Sequence, residues 1–160
     1  LLKLAKFIEL LKDHGIHRFN VNSFESRLKM QKYVYLAKEL FGMKFDYAFN
    51  LYLRGPYSPE LADDYYKLID IKLDLSKVRY DTNKFNEFKE FVKDKTSREL
   101  EIIATTHFVW KSNEHLLKFG FPKDRLEELV IKRVCSLKRA DKEFVRNVLE
   151  NIQTKKLAYA

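Results

Sequence analysis

Four histidines and one cysteine are the side chains of this 160-residue sequence best suited to nucleophilic, acid–base or metal chemistry, and their spacing argues against all three. His14 and His17 stand three apart, close enough to share a helical face. However, Gly15 breaks a helix between them, and no cysteine or carboxylate pair stands nearby at ligand spacing. His107 lies inside the most apolar helical stretch, where a hydrogen-bonded core histidine is expected, and His115 is expected to be exposed near a helix start. Cys135 is the only cysteine, which excludes an intrachain disulfide and a CxxC half-site; the expectation is a small buried hydrophobe. There is no GxSxG, Walker loop or GxGxxG, and 4 glycines allow few phosphate cradles. The expectation is a non-enzyme with no metal and no cofactor.

Binding chemistry is better represented. The stretch RGPYSPEL, residues 54–61, follows an alternating run and combines a charge, a turn and a helix start. Gly55 and Pro56 break the strand, Ser58 can cap the following helix, and Pro59 suits its first position because its missing donor costs nothing there. Glu60, Asp63 and Asp64 then sit at the positive end of the helix dipole. Around this structural turn, Arg54, Tyr57 and Tyr66 are the residue types most often used as interface anchors, and they form the expected partner-binding set; Tyr66 is expected to be exposed. The competing set is basic. Lys132, Arg133, Lys138, Arg139, Lys142 and Arg146 form the densest cationic cluster, with only Asp141 and Glu143 intervening. It could contact a nucleic-acid backbone, as could Arg18, Arg27, Lys29 and Lys32 near the start of the second helix.

The elements that must position these residues are mostly helices. Residues 1–13 put Leu4, Phe7, Ile8 and Leu11 on one stripe opposite Lys3, Lys6, Glu9 and Lys12. Asn22 with Glu25 suggests a capping box for a second helix that ends at Gly42. Phe45, Tyr47, Phe49, Leu51 and Leu53 alternate as in a strand, and Ile69, Ile71, Leu73 and Leu75 suggest a second one to pair with it. Thr82 or Asn83 can start a helix carrying Phe85, Phe88 and Val92. Thr96 with Glu99 forms another capping box ahead of LEIIATTHFVW, the candidate central buried helix. Helices with Leu126, Leu129, Val130 and Val134, and from Asp141 with Phe144, Val148, Leu149 and Ile152, complete the chain.

This gives a mainly α fold of the α+β kind, a helical bundle with a small two- or three-stranded sheet. It is expected as a single domain over 1–160, winged-helix-like over about 22–80 and with C-terminal helices over about 82–153. An apolar share of 46% with 13 Phe and 9 Tyr suffices for a sizeable core. No apolar run approaches the roughly 18 residues needed to span a bilayer, and the opening LLKLAKFIELLK reads as an amphipathic helix rather than a signal peptide; the expected location is cytoplasmic, away from membranes. The net charge of +8 divides evenly, with 14 basic and 10 acidic residues in 1–80 and 17 and 13 in 81–160, so there is no basic tail.

The order of parts also carries a likeness. KMQKYVYLAKELF, then an alternating run, then YLRGPYSPELADDYYKL resembles the pattern of the YwgA-like proteins and, more distantly, of the Panacea antitoxin domain; RELEIIATTHF adds weaker support. The match covers about residues 27–69. It maps onto Met30, Gln31, Lys32 and Tyr35 in the helix and Gly55, Pro56, Tyr57, Ser58 and Leu61 in the turn, while Arg54 stands where the family more often has an aromatic residue. The resemblance implies a winged-helix-like or related helical fold and a regulatory or toxin-neutralising role. The expected function is therefore a non-enzymatic regulatory module that binds a protein partner, a toxin or a second copy of itself. The alternative is a winged-helix-type DNA regulator making backbone contacts, which the carboxylates at 60, 63 and 64 oppose.

Overall fold

A computed structural model describes residues 1–159, with side chains to Lys155. The fold is mainly α with a small two-stranded antiparallel sheet, in line with the expectation. The backbone divides into two compact units, Leu1–Leu100 and Glu101–Ala160.

The first unit contains α1 (Leu2–Asp13), α2 (Phe24–Glu39), β1 (Asn50–Tyr52), β2 (Gly55–Tyr57), α3 (Pro59–Lys67) and α4 (Thr82–Val92). Its core is aromatic. Phe7 of α1 meets Phe45 at 5.3 Å, Phe88 at 5.4 Å and Phe85 at 6.2 Å between ring centroids, and Phe88 also meets Tyr33 and Phe41 at 6.1 Å. Most of these contacts are edge-on or tilted, the arrangements that ring quadrupoles favour. α4 therefore belongs with the first unit: its inward residues Phe85, Phe88 and Val92 recur at helical spacing and are all buried.

The caps follow local chemistry. Ser23, rather than Asn22, begins α2, because its hydroxyl reaches the Ser26 amide at 3.2 Å while Asn20, not Asn22, uses its side chain on the nearby backbone. Asp81 caps α4 through the Lys84 amide. The Thr96 and Glu99 box closes reciprocally at 3.1 and 3.3 Å ahead of α5 (Ser97–Asn113).

The expected long strand is corrected. Burial alternates from Phe41 to Tyr47, so the period-two signal is real, yet only residues 50–52 pair with a strand. Residues 45–49 are extended chain laid against helices, where Lys38 donates to the Tyr47 carbonyl. The second expected strand is also corrected: residues 71–75 form no ladder, and β1 pairs instead with β2 inside the turn, before α3 rather than after it.

The second unit holds most of α5, then α6 (Lys123–Lys138) and α7 (Lys142–Tyr159). α6 and α7 form a helical hairpin joined by three residues, with Arg139 in the left-handed region at φ 48° and Asp141 capping α7 through the Phe144 amide. Leu126, Val130, Ile131 and Val134 of α6 and Val145, Val148, Leu149 and Ile152 of α7 are buried.

Candidate functional site

The turn at 54–61 is held from behind by α2. β1 and β2 pair Asn50 with Tyr57, Leu51 with Pro56 and Tyr52 with Gly55; the hairpin closes over Leu53 and Arg54. Gly55 takes φ 92°, the left-handed conformation that tight hairpins place on glycine. Ser58 then caps α3, accepting from the Leu61 amide at 3.3 Å and donating to Glu60 at 3.0 Å, with Pro59 in the first turn.

Two fully buried polar residues of α2 fix this turn in place. Gln31 makes a two-point contact with the Ser58 backbone: its amide nitrogen donates to the carbonyl at 3.0 Å and its oxygen accepts from the N–H at 2.8 Å. Lys32 donates to the Pro56 carbonyl at 2.7 Å. Each satisfies a buried group that would otherwise cost free energy. Lys32 is only 2% exposed, so the expectation that it meets a nucleic-acid backbone is corrected: its ammonium group is committed to the turn. On the far side, the Tyr47 hydroxyl donates to Asp64 at 2.6 Å, and burial together with that carboxylate pushes the phenol well above its usual range. Tyr65 is pushed up to about 12, chiefly by burial, while the adjacent Gln31 donor acts in the opposite direction.

The outer side of the turn presents aromatic and cationic groups. Phe24 is 57% exposed and is flanked by two guanidinium groups, Arg27 at 5.8 Å and Arg54 at 6.0 Å from its ring centroid. Tyr52 is 51% exposed and meets Tyr57 edge-on at 5.5 Å; Leu53, at the tip, is 89% exposed. Tyr66, 48% exposed, contacts Tyr65 at 5.3 Å. Of the expected partner-binding set, Arg54 and Tyr57 thus lie on one hairpin. Tyr66 points outward from α3, and among the described residues no ring or cation contact joins it to the other two. Phe24 was missed because it sits at a helix start, where a single aromatic gives no periodic signal.

The basic set disperses. Lys138 is 6% exposed and pairs with Glu101 at 3.0 Å, which corrects its assignment to a nucleic-acid surface. Lys142 and Arg146 share Glu128 at 3.7 and 2.8 Å, while Lys132, Arg133 and Arg139 are exposed. Cys135 is half-buried beside Lys132 and Lys142 in a groove between α6 and α7, rather than fully buried as expected, and burial raises its thiol.

His107 is buried and His115 exposed. His14 accepts from Lys89 at 3.3 Å, and His17 meets the Ser26 hydroxyl at 2.7 Å. Burial, aided by Lys29 and opposed by Glu25, lowers the His17 imidazole below its usual value. Among the described residues no group of three or more His, Cys, Asp and Glu could hold a metal ion, and no helix is long and apolar enough to cross a membrane. Comparison with protein-family models, curated proteins and solved structures finds no match to this chain.

Proposed function

We propose that the chain is a non-enzymatic regulatory module that grips a protein partner with the outer side of its hairpin turn. The observation that carries this reading is the arrangement of Phe24 between Arg27 and Arg54 beside the exposed Tyr52 and Leu53, on a turn that buried Gln31 and Lys32 hold rigid. Exposed aromatics and arginines on a pre-organised backbone lose little conformational entropy on binding, and they are the residue types that dominate interface energetics. The fitting partner offers carboxylates beside apolar side chains. A toxin-neutralising role, which the sequence likeness implies, is one regulatory form of such binding, and self-association is another.

The distribution of charge weighs against the nucleic-acid alternative. α3 starts with exposed Glu60 and Asp63, which would repel a phosphate backbone, and half of the C-terminal basic set is engaged with Glu101 or Glu128. The reading is tested by placing a photo-crosslinking phenylalanine derivative at position 53. Its adduct should be a protein, and Arg54→Glu should abolish it. Sedimentation equilibrium separates a second copy from another partner. An adduct to nucleic acid, or a protein adduct indifferent to Arg54→Glu, would reject the proposal.

A further inference from the structure

On another part of the first unit, a cleft of about 290 Å³ opens between the start of α1, the chain just after α2 and the approach to α4. Its floor is apolar, made by Phe7, Leu10, Met43 and Phe45, all buried. Its wall is Tyr80, whose ring is 37% exposed and stands edge-on to Phe85 at 6.0 Å. Five cations ring the opening, Lys3, Lys6, Lys44, Arg79 and Lys84, against a single carboxylate, Asp81.

That carboxylate is engaged, because Asp81 accepts from the Lys84 amide at 3.0 Å as the cap of α4. Lys84 extends its ammonium to the Gly42 carbonyl at 3.2 Å, a contact allowed by the tight turn in which Gly42 takes φ 70°. Lys6 lies 6.0 Å over the Tyr80 ring and 3.8 Å from Glu9. Lys3, Lys44 and Arg79 have neither an ion pair nor a side-chain hydrogen bond among the described residues. Like charges gathered around a low-dielectric hollow repel one another and focus a positive potential into it. An anion in the hollow relieves that repulsion, and the aromatic floor and wall accept a flat body behind it. The volume is at the lower end of small-ligand pockets, roughly 300 Å³, which limits the aromatic part of a ligand to one or two rings.

We infer that this cleft binds a small aromatic anion, an aromatic body of one or two rings carrying a phosphate or a carboxylate directly or through a short linker such as a sugar, with Lys44, Arg79 and Lys3 supplying the counter-charge and Tyr80 the stacking wall. The two anion types share this chemistry, and two probes separate them. The 160-residue chain at low salt is titrated with adenosine monophosphate and with indole-3-acetate, and followed by backbone amide shifts. At least one should saturate with a Kd of about 1 mM or tighter, moving Met43, Lys44, Val78 and Tyr80. Adenosine monophosphate alone would identify a phosphate, and indole-3-acetate alone a carboxylate.

Adenosine and inorganic phosphate, each lacking half of the pattern, should bind at least about tenfold more weakly than the nucleotide if that is the probe that binds. Lys44→Gln with Arg79→Gln should weaken binding at least about tenfold at an unchanged melting temperature, since both side chains are exposed. Lys132→Gln, in the second unit, should change nothing. Failure of both probes to saturate by about 10 mM, shifts mapping elsewhere, or a double variant that binds like the parent would overturn the inference.

Discussion

The Gln31 contact with Ser58 allows the sharpest test of how the turn is built. Gln31→Leu keeps the volume and removes both hydrogen bonds. The Ser58 carbonyl still accepts from the Ala62 amide at 3.2 Å, but the Ser58 N–H loses its acceptor at a fully buried position. A stranded buried donor costs about 1–3 kcal/mol and the lost bond about 1. The added apolar burial returns roughly 1 kcal/mol, which leaves a destabilisation of about 1–3 kcal/mol, read from urea unfolding by linear extrapolation.

Gln31→Glu sharpens the test further. An ionised carboxylate can accept from the Ser58 N–H, but it turns its second oxygen toward the Ser58 carbonyl, 3.0 Å from where the amide now donates. The charged form is disfavoured in the fold, so the new carboxyl's folded pKa lies above its unfolded value of about 4.3. Its deficit relative to the parent should therefore be small below about pH 4, where the protonated acid donates as the amide did, and should grow as pH rises through the folded pKa. A leucine variant within about 0.5 kcal/mol of the parent, or a glutamate variant whose deficit ignores pH, would refute the reasoning.

Three further outcomes are expected. Ser58→Ala should cost about 0.5–2 kcal/mol through loss of the α3 cap, measured by the same unfolding experiment, with a change under about 0.2 rejecting the cap. His17 has a folded pKa below the usual 6.5, so its contribution is fully present above about pH 6.5 and falls as pH drops toward the folded value. Stability measured from pH 7 to 5 should therefore decline less steeply in His17→Asn than in the parent, and equal slopes would contradict this. Lys138→Met should destabilise by about 2–4 kcal/mol because Glu101 is left buried and unpaired, while exposed Lys132→Met should stay within about 0.5 kcal/mol; similar effects from the two would place Lys138 at the surface.

Much of the fold was legible because helices announce themselves locally. The apolar spacing of α1 and α4, the Ser58 cap with Pro59, and the Thr96 and Glu99 box all depend on residues a few positions apart. The hairpin was not legible for the opposite reason. Pro56 reads as a strand breaker, yet in a two-stranded sheet both strands are edges, where a missing donor is tolerated. The alternation at 45–49 reported extended chain facing a core, and period two alone cannot say whether a neighbouring strand exists.

The site was legible by residue type more than by arrangement. Arg54 and Tyr57 stand out in the sequence, Gln31 enters only through the family likeness without a stated task, and Lys32 reads from the sequence as a nucleic-acid backbone contact. Polar residues in the middle of a helix suggest an exposed face; only the placement of the turn 24 and 27 residues downstream shows that they are buried to satisfy its backbone. Lys138 misled in the same way, because its partner Glu101 lies 37 residues upstream.

The claim that the outer side of the turn is the partner surface is tested most directly by Phe24→Ala and Arg54→Ala, each measured for thermal stability and for affinity toward the partner crosslinked from position 53. Both side chains are exposed, so melting should stay within about 3 °C of the parent, while loss of an anchor should weaken binding by about thirtyfold, equivalent to about 2 kcal/mol. Variants that remain folded and bind the partner with undiminished affinity would contradict the account.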